Sequence, residues 1–215
     1  MILDPALLAA YVVLATALAV SPGPDVLFVV ANGMTHKVRG AIASSLGIGA
    51  GSLLHALAAA VGISALIAAS PLAYDILRYA GALYLFYLGL QAVRSWFTKS
   101  EAPETKPEKS EATLWQVFQR GLVTNILNPK VVVFYLALLP QFVNVDLGHV
   151  GFQVFLLGCI HNIIGVVFLV CVGSAAGKAS DWLSHTSFGR WLDGLAGLFF
   201  IGLAVRIAIS GKPEP

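Results

Sequence analysis

Six long apolar segments, separated by short polar stretches, dominate the chain. They run over residues 6–34, 40–69, 76–97, 114–143, 151–177 and 191–210. A helix needs about 20 mostly apolar residues to cross a bilayer, and each segment reaches that length. The pattern therefore predicts an all-α polytopic membrane protein with six transmembrane helices.

Two of these segments are interrupted by proline. The first contains Ser21-Pro22-Gly23-Pro24-Asp25, and the fourth contains Asn128-Pro129 followed by Lys130. Proline lacks a backbone donor and its ring crowds the preceding turn, so neither helix continues through its motif. In hydrocarbon the freed backbone groups need partners in protein or in a water-filled cavity. We therefore predict that helices 1 and 4 are broken, as at the binding sites of many transporters.

The two halves of the chain resemble each other. Residues 81–90 align without gaps on residues 194–203 with five identical positions, although apolar stretches match easily by chance. The proline motifs of segments 1 and 4 also correspond, as do His55 and His161 in segments 2 and 5. Because each half has an odd number of spans, the second is inverted relative to the first. We predict two three-helix repeats, residues 1–97 and 113–215, joined by a hydrophilic linker over residues 98–112.

The distribution of basic residues predicts the topology. Nine lysines and arginines lie in or beside the connections 1–2, 3–4 and 5–6, and three lie on the other side. The positive-inside rule places those three connections, including the linker, in the cytoplasm and both termini in the periplasm. The chain is 58% hydrophobic and 11% charged, and it has no long basic patch, which argues against a nucleic-acid partner.

Ionisable residues inside the broken segments are candidates for function, because charge in a membrane is costly. Asp25 and Lys130 follow the two corresponding breaks, and one hypothesis is a neutralising interaction between them across the repeat interface. The alternative is that Lys130 reaches a membrane interface and Asp25 only caps a half-helix. The half-helix N-terminus near Asp25 suits a substrate carboxylate, with Asp25 for the ammonium. Asp25 could instead take up and release a proton that drives exchange.

The predicted site residues come from the two breaks and from the histidines. The substrate-binding candidates are Ser21, Pro22, Gly23, Pro24, Asp25, Asn125, Asn128, Pro129 and Lys130. The proton-coupling candidates are Asp25, His55 and His161. Each histidine lies among glycines at helical spacing, Gly47 and Gly51 in one segment and Gly158 and Gly165 in the other. Such glycines let helices approach closely, and each histidine is either a proton relay or a neutral ring satisfied by a carbonyl.

Other chemistries have little support in the sequence. The five histidines are scattered without metal-ligand spacing, so we expect no bound metal. No nucleophile–base arrangement or cofactor motif is visible, and we expect neither an enzyme nor a cofactor, although packing could assemble a site from distant residues. Cys159 and Cys171 lie about 18 Å apart along one helix and cannot pair. A thiol electron carrier would need a paired cysteine in each half, and we reject it.

The motifs named above, with Arg39-Gly40, Gly47-Ile48-Gly49 and the aromatic stretch of residues 84–89, resemble the lysine-exporter superfamily. The resemblance covers essentially the whole chain and is closest to the homoserine/threonine efflux branch. The family motif falls here on Pro22, Gly23, Pro24, Asn128, Pro129 and Lys130. Members carry Asn or Asp at the position of Asp25, so the resemblance assigns no universal role to that acid.

This resemblance implies a multi-pass protein of the bacterial inner membrane that exports amino acids or close derivatives, such as homoserine, threonine or leucine. It implies that proton exchange drives export and that the protein is surrounded by membrane lipid. It is also compatible with a homodimer. It does not identify the substrate. The alternative is a metal or inorganic ion exporter, as in related branches of the same superfamily.

Overall fold

The computed structural model describes residues 2–69 and 112–178, with isolated helical positions between 72 and 94 and between 201 and 205. The helices of the two main ranges are α1 (Pro5–Val20), α2 (Pro24–Ala69), α3 (Leu114–Ile126), α4 (Pro129–Val133) and α5 (Val150–Lys178). All regular structure in residues 2–69 and 112–178 is helical, which confirms the all-α prediction. The predicted third and sixth segments and the linker lie outside the continuously described ranges, so the six-helix inverted repeat stays a prediction.

Helix α1 begins and ends where its sequence requires. The Asp4 carboxylate caps its first turn, accepting from the backbone N–H groups of Ala6 at 2.9 Å and Leu7 at 3.2 Å, and Pro5 occupies the first helical position. These N–H groups, Leu7 first, lower the pKa of Asp4. At the other end Ser21 adopts an extended backbone, and the helix stops before Pro22. The predicted interruption of the first segment is therefore confirmed.

Helix α2 folds back on itself at Lys37. This residue has φ 56° and ψ −150°, a region that favours glycine. A Cβ at Gly40 would overlap the carbonyl oxygen of Asn32, although a continuous helix would separate these two residues by about 12 Å along its axis. The chain therefore reverses here into two arms, α2a (residues 24–36) and α2b (residues 38–69). This reversal falls in residues 35–39, the short polar stretch between the first two apolar segments.

The fourth apolar segment is likewise broken. Helix α3 starts with a capping box between Thr113 and Gln116, and it ends at Leu127. The chain then bends by 52° into the stretch Pro129–Phe142. Beyond α4 this stretch continues as a π-helical turn (Phe134–Leu138) and a 3-10 turn (Leu139–Phe142). A π-helical turn inside a helix is a common feature of functional sites.

Glycines bring α2b close to α3 and α5. A Cβ at Gly47 would overlap the carbonyl oxygen of Phe118 on α3. A Cβ at Gly51 would lie 2.9 Å from the Asn125 side-chain oxygen, and one at Gly158 would lie 2.6 Å from the Cβ of Ala56. All three contacts are too short for a larger residue. The predicted close approach through glycine is confirmed at these positions.

The buried apolar side chains of the described residues form two clusters, and both contribute residues next to the helix breaks. The larger cluster joins α1, α2b, α4, the π and 3-10 turns and α5, and the Tyr11 hydroxyl inside it donates to the Leu157 carbonyl at 2.7 Å. Its largest fully buried side chains are Tyr11, Tyr135, Phe134, Leu14, Ile63, Leu138, Leu139 and Leu157. The smaller cluster joins the two arms of α2 to α5 through Val29, Ala41, Ile48 and Leu169.

The described helices have the length and hydropathy of membrane spans. Within the described residues, Pro24–Ile63 and Val150–Gly177 are each long and apolar enough to cross a bilayer, and the bent pair of α3 and Pro129–Phe142 would make a third. The reversal at Lys37 divides the first of these into its two arms. These helices agree with the spans predicted around residues 40–69, 114–143 and 151–177.

Candidate functional site

A cavity of about 60 Å³ lies where the two helix breaks meet α2b and α5. Since one water molecule needs about 10–15 Å³ of such a cavity, it has room for a few waters. Its polar lining comes from both breaks and from the facing helices: Ser21, Gly23, Asp25, Ser52, Asn125, Asn128, Lys130, His161 and Asn162. Its apolar lining is Leu18, Ala19, Val26, Ile48, Val131, Gly165, Val166 and Leu169.

Lys130 from the second break caps the helix that ends at the first. Its ammonium group donates to the carbonyl of Leu18 at 2.9 Å and to the carbonyl of Ser21 at 2.8 Å. Carbonyls at a helix C-terminus lack intrahelical donors, and the helix dipole favours a cation there. The side chain passes beside Gly23, where a Cβ would lie 3.8 Å from both Cδ and Nζ. Lys130 therefore satisfies the backbone that the Ser-Pro-Gly-Pro motif opens.

Asp25 from the first break is held by the second break in return. One of its carboxylate oxygens, Oδ2, accepts from the side-chain amide of Asn125 at 2.9 Å. The other oxygen, Oδ1, is buried and has no hydrogen-bond partner within the described residues. A buried polar atom without a partner costs free energy, more so when it belongs to a charged group. This oxygen is therefore poised for a proton or for a ligand that donates.

Asn125 and Asn128 organise the second break. The Asn128 side chain accepts from the backbone N–H of Lys130 at 3.1 Å and so caps α4, which Pro129 begins. The backbone carbonyl of Asn125 lies 3.4 Å from Nε2 of His55. Asn125 and Asn128 are almost fully buried, which is unusual for asparagine unless it is paired. Asn125 therefore ties the break to α2a through its side-chain amide and to α2b through its backbone carbonyl, whereas the Asn128 side chain caps the break itself.

The histidines differ in their surroundings. His55 stacks on Tyr135 with ring centroids 5.8 Å apart and has the Asn125 carbonyl as a neighbour, as the neutral-ring interpretation expects. His161 lines the cavity and lies against Phe134 at 4.2 Å, and its Nδ1 is buried without a partner among the described residues. The structure thus supplies the predicted carbonyl for His55, while His161 keeps an unused ring nitrogen at the cavity.

Sequence reasoning missed the hydroxyl pair formed by Ser52, which lines the cavity, and Tyr135. Ser52 Oγ and Tyr135 Oη are 2.8 Å apart, and the Tyr135 hydroxyl also reaches the Gly158 carbonyl at 3.3 Å. Tyr135 belongs to the larger apolar cluster, and Ser52 lines the cavity. A signal for Ser52 was available in the sequence: it is a polar side chain within an apolar span. It also directly follows Gly51, a glycine predicted to allow close helix contact.

The predicted site residues fall into two groups. Those that line the cavity are Ser21, Gly23, Asp25, Asn125, Asn128, Lys130 and His161. The others are Pro22, Pro24, Pro129 and His55; the prolines interrupt or begin helices, and His55 contacts the second break. Asp25 and Lys130 share the cavity and are each hydrogen-bonded to other groups. Their direct neutralising interaction stays a prediction.

Metal ligands and paired thiols do not mark this site. Among the residues that the structure describes, no three His, Cys, Asp or Glu side chains are close enough to hold a metal ion. Cys159 and Cys171 are both free thiols on α5.

Comparisons with known proteins give one consistent result. The family model of the LysE type translocator matches residues 16–211. The chain is 27% identical over 211 residues to the uncharacterized membrane protein YrhP of Bacillus subtilis (strain 168), covering 94% of this chain and 99% of that protein. It is 28% identical over 199 residues to the leucine efflux protein of Salmonella typhimurium (strain LT2), covering 92% of each. The leucine efflux protein of Enterobacter sp. (strain 638) is 29% identical over 199 residues. No solved structure matches the chain.

Proposed function

Because this chain belongs to the LysE type translocator family, we propose that it exports amino acids or close derivatives across the bacterial inner membrane in exchange for protons. Family membership confirms the resemblance found in the sequence. With the apolar helices, it makes the chain a multi-pass bacterial membrane translocator of a small-molecule substrate, which is not an enzyme class. The substrate and the coupling are our proposal.

The observation that carries this proposal is that one cavity is lined by a single carboxylate and a single ammonium group among its described residues. Asp25 presents a buried oxygen without a partner, which suits the ammonium of an amino acid. Lys130 and the N-terminus of α2 suit its carboxylate, since both carry positive charge or partial charge. A zwitterion therefore matches the site better than an ion of one sign.

The size of the cavity implies that transport requires movement. A space of about 60 Å³ holds about four to six waters, which leaves little or no room for the hydration of a bound amino acid such as leucine. We infer that it is a closed form of the binding site, and that the substrate enters when the helix arms around the two apolar clusters separate. The broken helices supply short segments that can tilt without bending a continuous helix.

Asp25 is the proposed coupling residue. Its carboxylate faces the substrate ammonium in one state, and in the other state a proton neutralises it, because an unpaired buried charge is costly. Substrate and proton then compete for the same group, which is sufficient for exchange. His161 is the second proton-coupling candidate because its Nδ1 is buried without a described partner, and His55 is the third.

The proposed architecture is the six-helix inverted repeat, with repeats over residues 1–97 and 113–215, the linker 98–112 in the cytoplasm and both termini in the periplasm. In support, the described helices break at the two corresponding proline motifs. A homodimer within the lipid bilayer completes the proposal. A reporter fused at the C-terminus should be active in the periplasm; a cytoplasmic signal would refute both the topology and the inverted repeat.

Counterflow in proteoliposomes tests the function directly. Vesicles with purified protein are loaded with unlabelled leucine, homoserine, threonine or lysine, and entry of the labelled counterpart is followed. We expect counterflow of one or two of these amino acids, faster when a proton gradient is imposed. Folded protein that gives no counterflow with any amino acid, but protects cells against a metal or inorganic ion, would favour the ion-exporter alternative.

A further inference from the structure

One part of the cavity lining is apolar, in contrast to the charged groups that the helix breaks contribute. Ile48, Val166 and Leu169 line it, and Ile48 and Leu169 belong to the smaller apolar cluster. Both side chains are almost fully buried, so this wall is packed from behind. An amino acid whose ammonium and carboxylate meet Asp25 and Lys130 would place its side chain against this wall. The wall suits an aliphatic side chain.

Gly165 occupies the centre of the α5 face that lines the cavity. His161, Gly165 and Leu169 are spaced four residues apart and lie on one side of the helix. A glycine in a helix interior costs stability relative to alanine, so its presence calls for a reason.

Other glycines of α5 have such a reason in helix packing. A Cβ at Gly173 would lie 2.5 Å from a methyl carbon of Val29, and one at Gly177 would lie 2.5 Å from the carbonyl oxygen of Gly33. At Gly165, by contrast, a Cβ would meet no heavy atom within 4 Å among the residues that the structure describes. The missing side chain at Gly165 leaves space at the cavity and is not needed for a described helix contact.

We propose that Gly165 determines substrate specificity by setting the length of the aliphatic side chain that the cavity accepts. The proposal rests on the amino-acid export proposed above and identifies the subsite for the side chain. A methyl group at residue 165 would project into space that no described atom approaches within 4 Å, at the cavity that Ile48 and Leu169 also line, and would shorten the subsite. Val166 is the next residue in the wall. The Val166 side chain approaches Gly49 on α2b, so we infer that it sets the width of the subsite.

The test compares counterflow of leucine with that of alanine. Gly165→Ala should lower the leucine-to-alanine ratio by about 10-fold or more, since one methylene group changes discrimination in an apolar pocket by that factor. The matched control is Gly62→Ala. Gly62 is also helical and has no described atom within 4 Å of its Cβ position, but it is exposed and lies outside the cavity. Gly62→Ala should leave the ratio unchanged.

A reciprocal variant keeps the proposal testable if Gly165→Ala does not fold. Val166→Ala enlarges the same wall and should raise counterflow of methionine relative to alanine. If wild-type protein shows no counterflow with any amino acid, the export proposal fails and the assignment of Gly165 fails with it. If wild-type counterflow is intact and both cavity variants keep the substrate ratios of Gly62→Ala, only the assignment of Gly165 is overturned.

Discussion

Both helix breaks leave backbone groups without helical hydrogen bonds, and different residues stabilise each break. At the first break, α1 ends and leaves carbonyl groups that no helical N–H reaches, and a lysine from the second break satisfies them. At the second break, Asn128 caps its own helix, and Asn125 donates to the carboxylate that follows the first break. The first break thus depends on the second for its donors, whereas the second is largely satisfied within itself.

This asymmetry links the two halves of the chain. Lys130 and Asn125 come from the second half, and Leu18, Ser21 and Asp25 come from the first, so the contacts that stabilise the breaks also cross between the halves. A movement that separates the halves must release these hydrogen bonds or exchange them for bonds to substrate or water. The comparison therefore predicts which variants disturb transport and which disturb stability.

The largest expected effect is on transport, from Asp25→Asn. The variant is nearly isosteric but removes the charge, and losing one partner of a buried charge pair costs about 2–5 kcal/mol of binding. We expect counterflow to fall by at least about 30-fold, with little change in thermal stability. Asp146→Asn, in an exposed turn, is the matched control and should transport normally. Unchanged export by Asp25→Asn would leave Asp25 as a helix cap only.

Next in size is the loss of stability from Lys130→Met. This change leaves the carbonyls of Leu18 and Ser21 without their donor, which should cost about 2–4 kcal/mol because the lost bonds involve a charged group. A thermal melt in detergent should show a clearly lower midpoint, with transport lost as well. Lys130→Arg keeps the charge and the donors and should be less affected. A melting midpoint equal to wild type for Lys130→Met would disprove the capping role.

Asn125→Ala should have an intermediate effect. It removes the donor to Asp25 and should cost about 1–3 kcal/mol of stability. Combined with Asp25→Ala, which removes the acceptor, in a double-mutant cycle, the two changes should couple by about 1 kcal/mol, because the residues are in direct contact. Strictly additive losses would show that the hydrogen bond between the two breaks contributes nothing to stability.

A smaller effect of opposite sign is expected at the reversal of α2. Lys37 holds a backbone conformation that costs a non-glycine residue about 1–3 kcal/mol, and its ammonium lies 3.4 Å from the Gly177 carbonyl. Lys37→Gly should therefore raise the melting midpoint slightly. Arg39→Gly, two residues later in the helical arm α2b, is the control and should lower it, since glycine is unfavourable there. Equal shifts for both variants would contradict the strained turn.

The smallest expected effect is a pH dependence of stability at Asp4, which caps α1 outside the breaks. Hydrogen bonds from Leu7 and Ala6 lower its pKa in the folded protein. Its contribution to stability is therefore present above the unfolded pKa of about 3.9 and is lost as the pH falls through the lower folded value. Asp4→Asn should keep the cap and remove this dependence. If the melting midpoint falls equally in wild type and in Asp4→Asn below pH 4, then Asp4 is not the source of the acid sensitivity.

Much of this arrangement could be predicted from the sequence. Proline and glycine in long apolar segments fixed the positions of both breaks, because helix hydrogen bonding cannot continue through them. Asp25 and Lys130 were found because charge within a span is rare. Their actual partners were not predictable, since main-chain carbonyls such as those of Leu18 and Ser21 leave no signature in the sequence. Ser52 and Tyr135 were missed for a related reason: only packing reveals which hydroxyls meet.

The most direct test of the central account asks whether both charges of the substrate are recognised. Labelled leucine counterflow is measured in competition with unlabelled leucine, with 3-methylbutylamine, which lacks the carboxylate, and with 4-methylpentanoate, which lacks the ammonium. If Asp25 and Lys130 together bind a zwitterion, leucine competes strongly and each analogue competes at least about 30-fold more weakly. Competition by either analogue as strong as that by leucine would contradict a site built from both helix breaks.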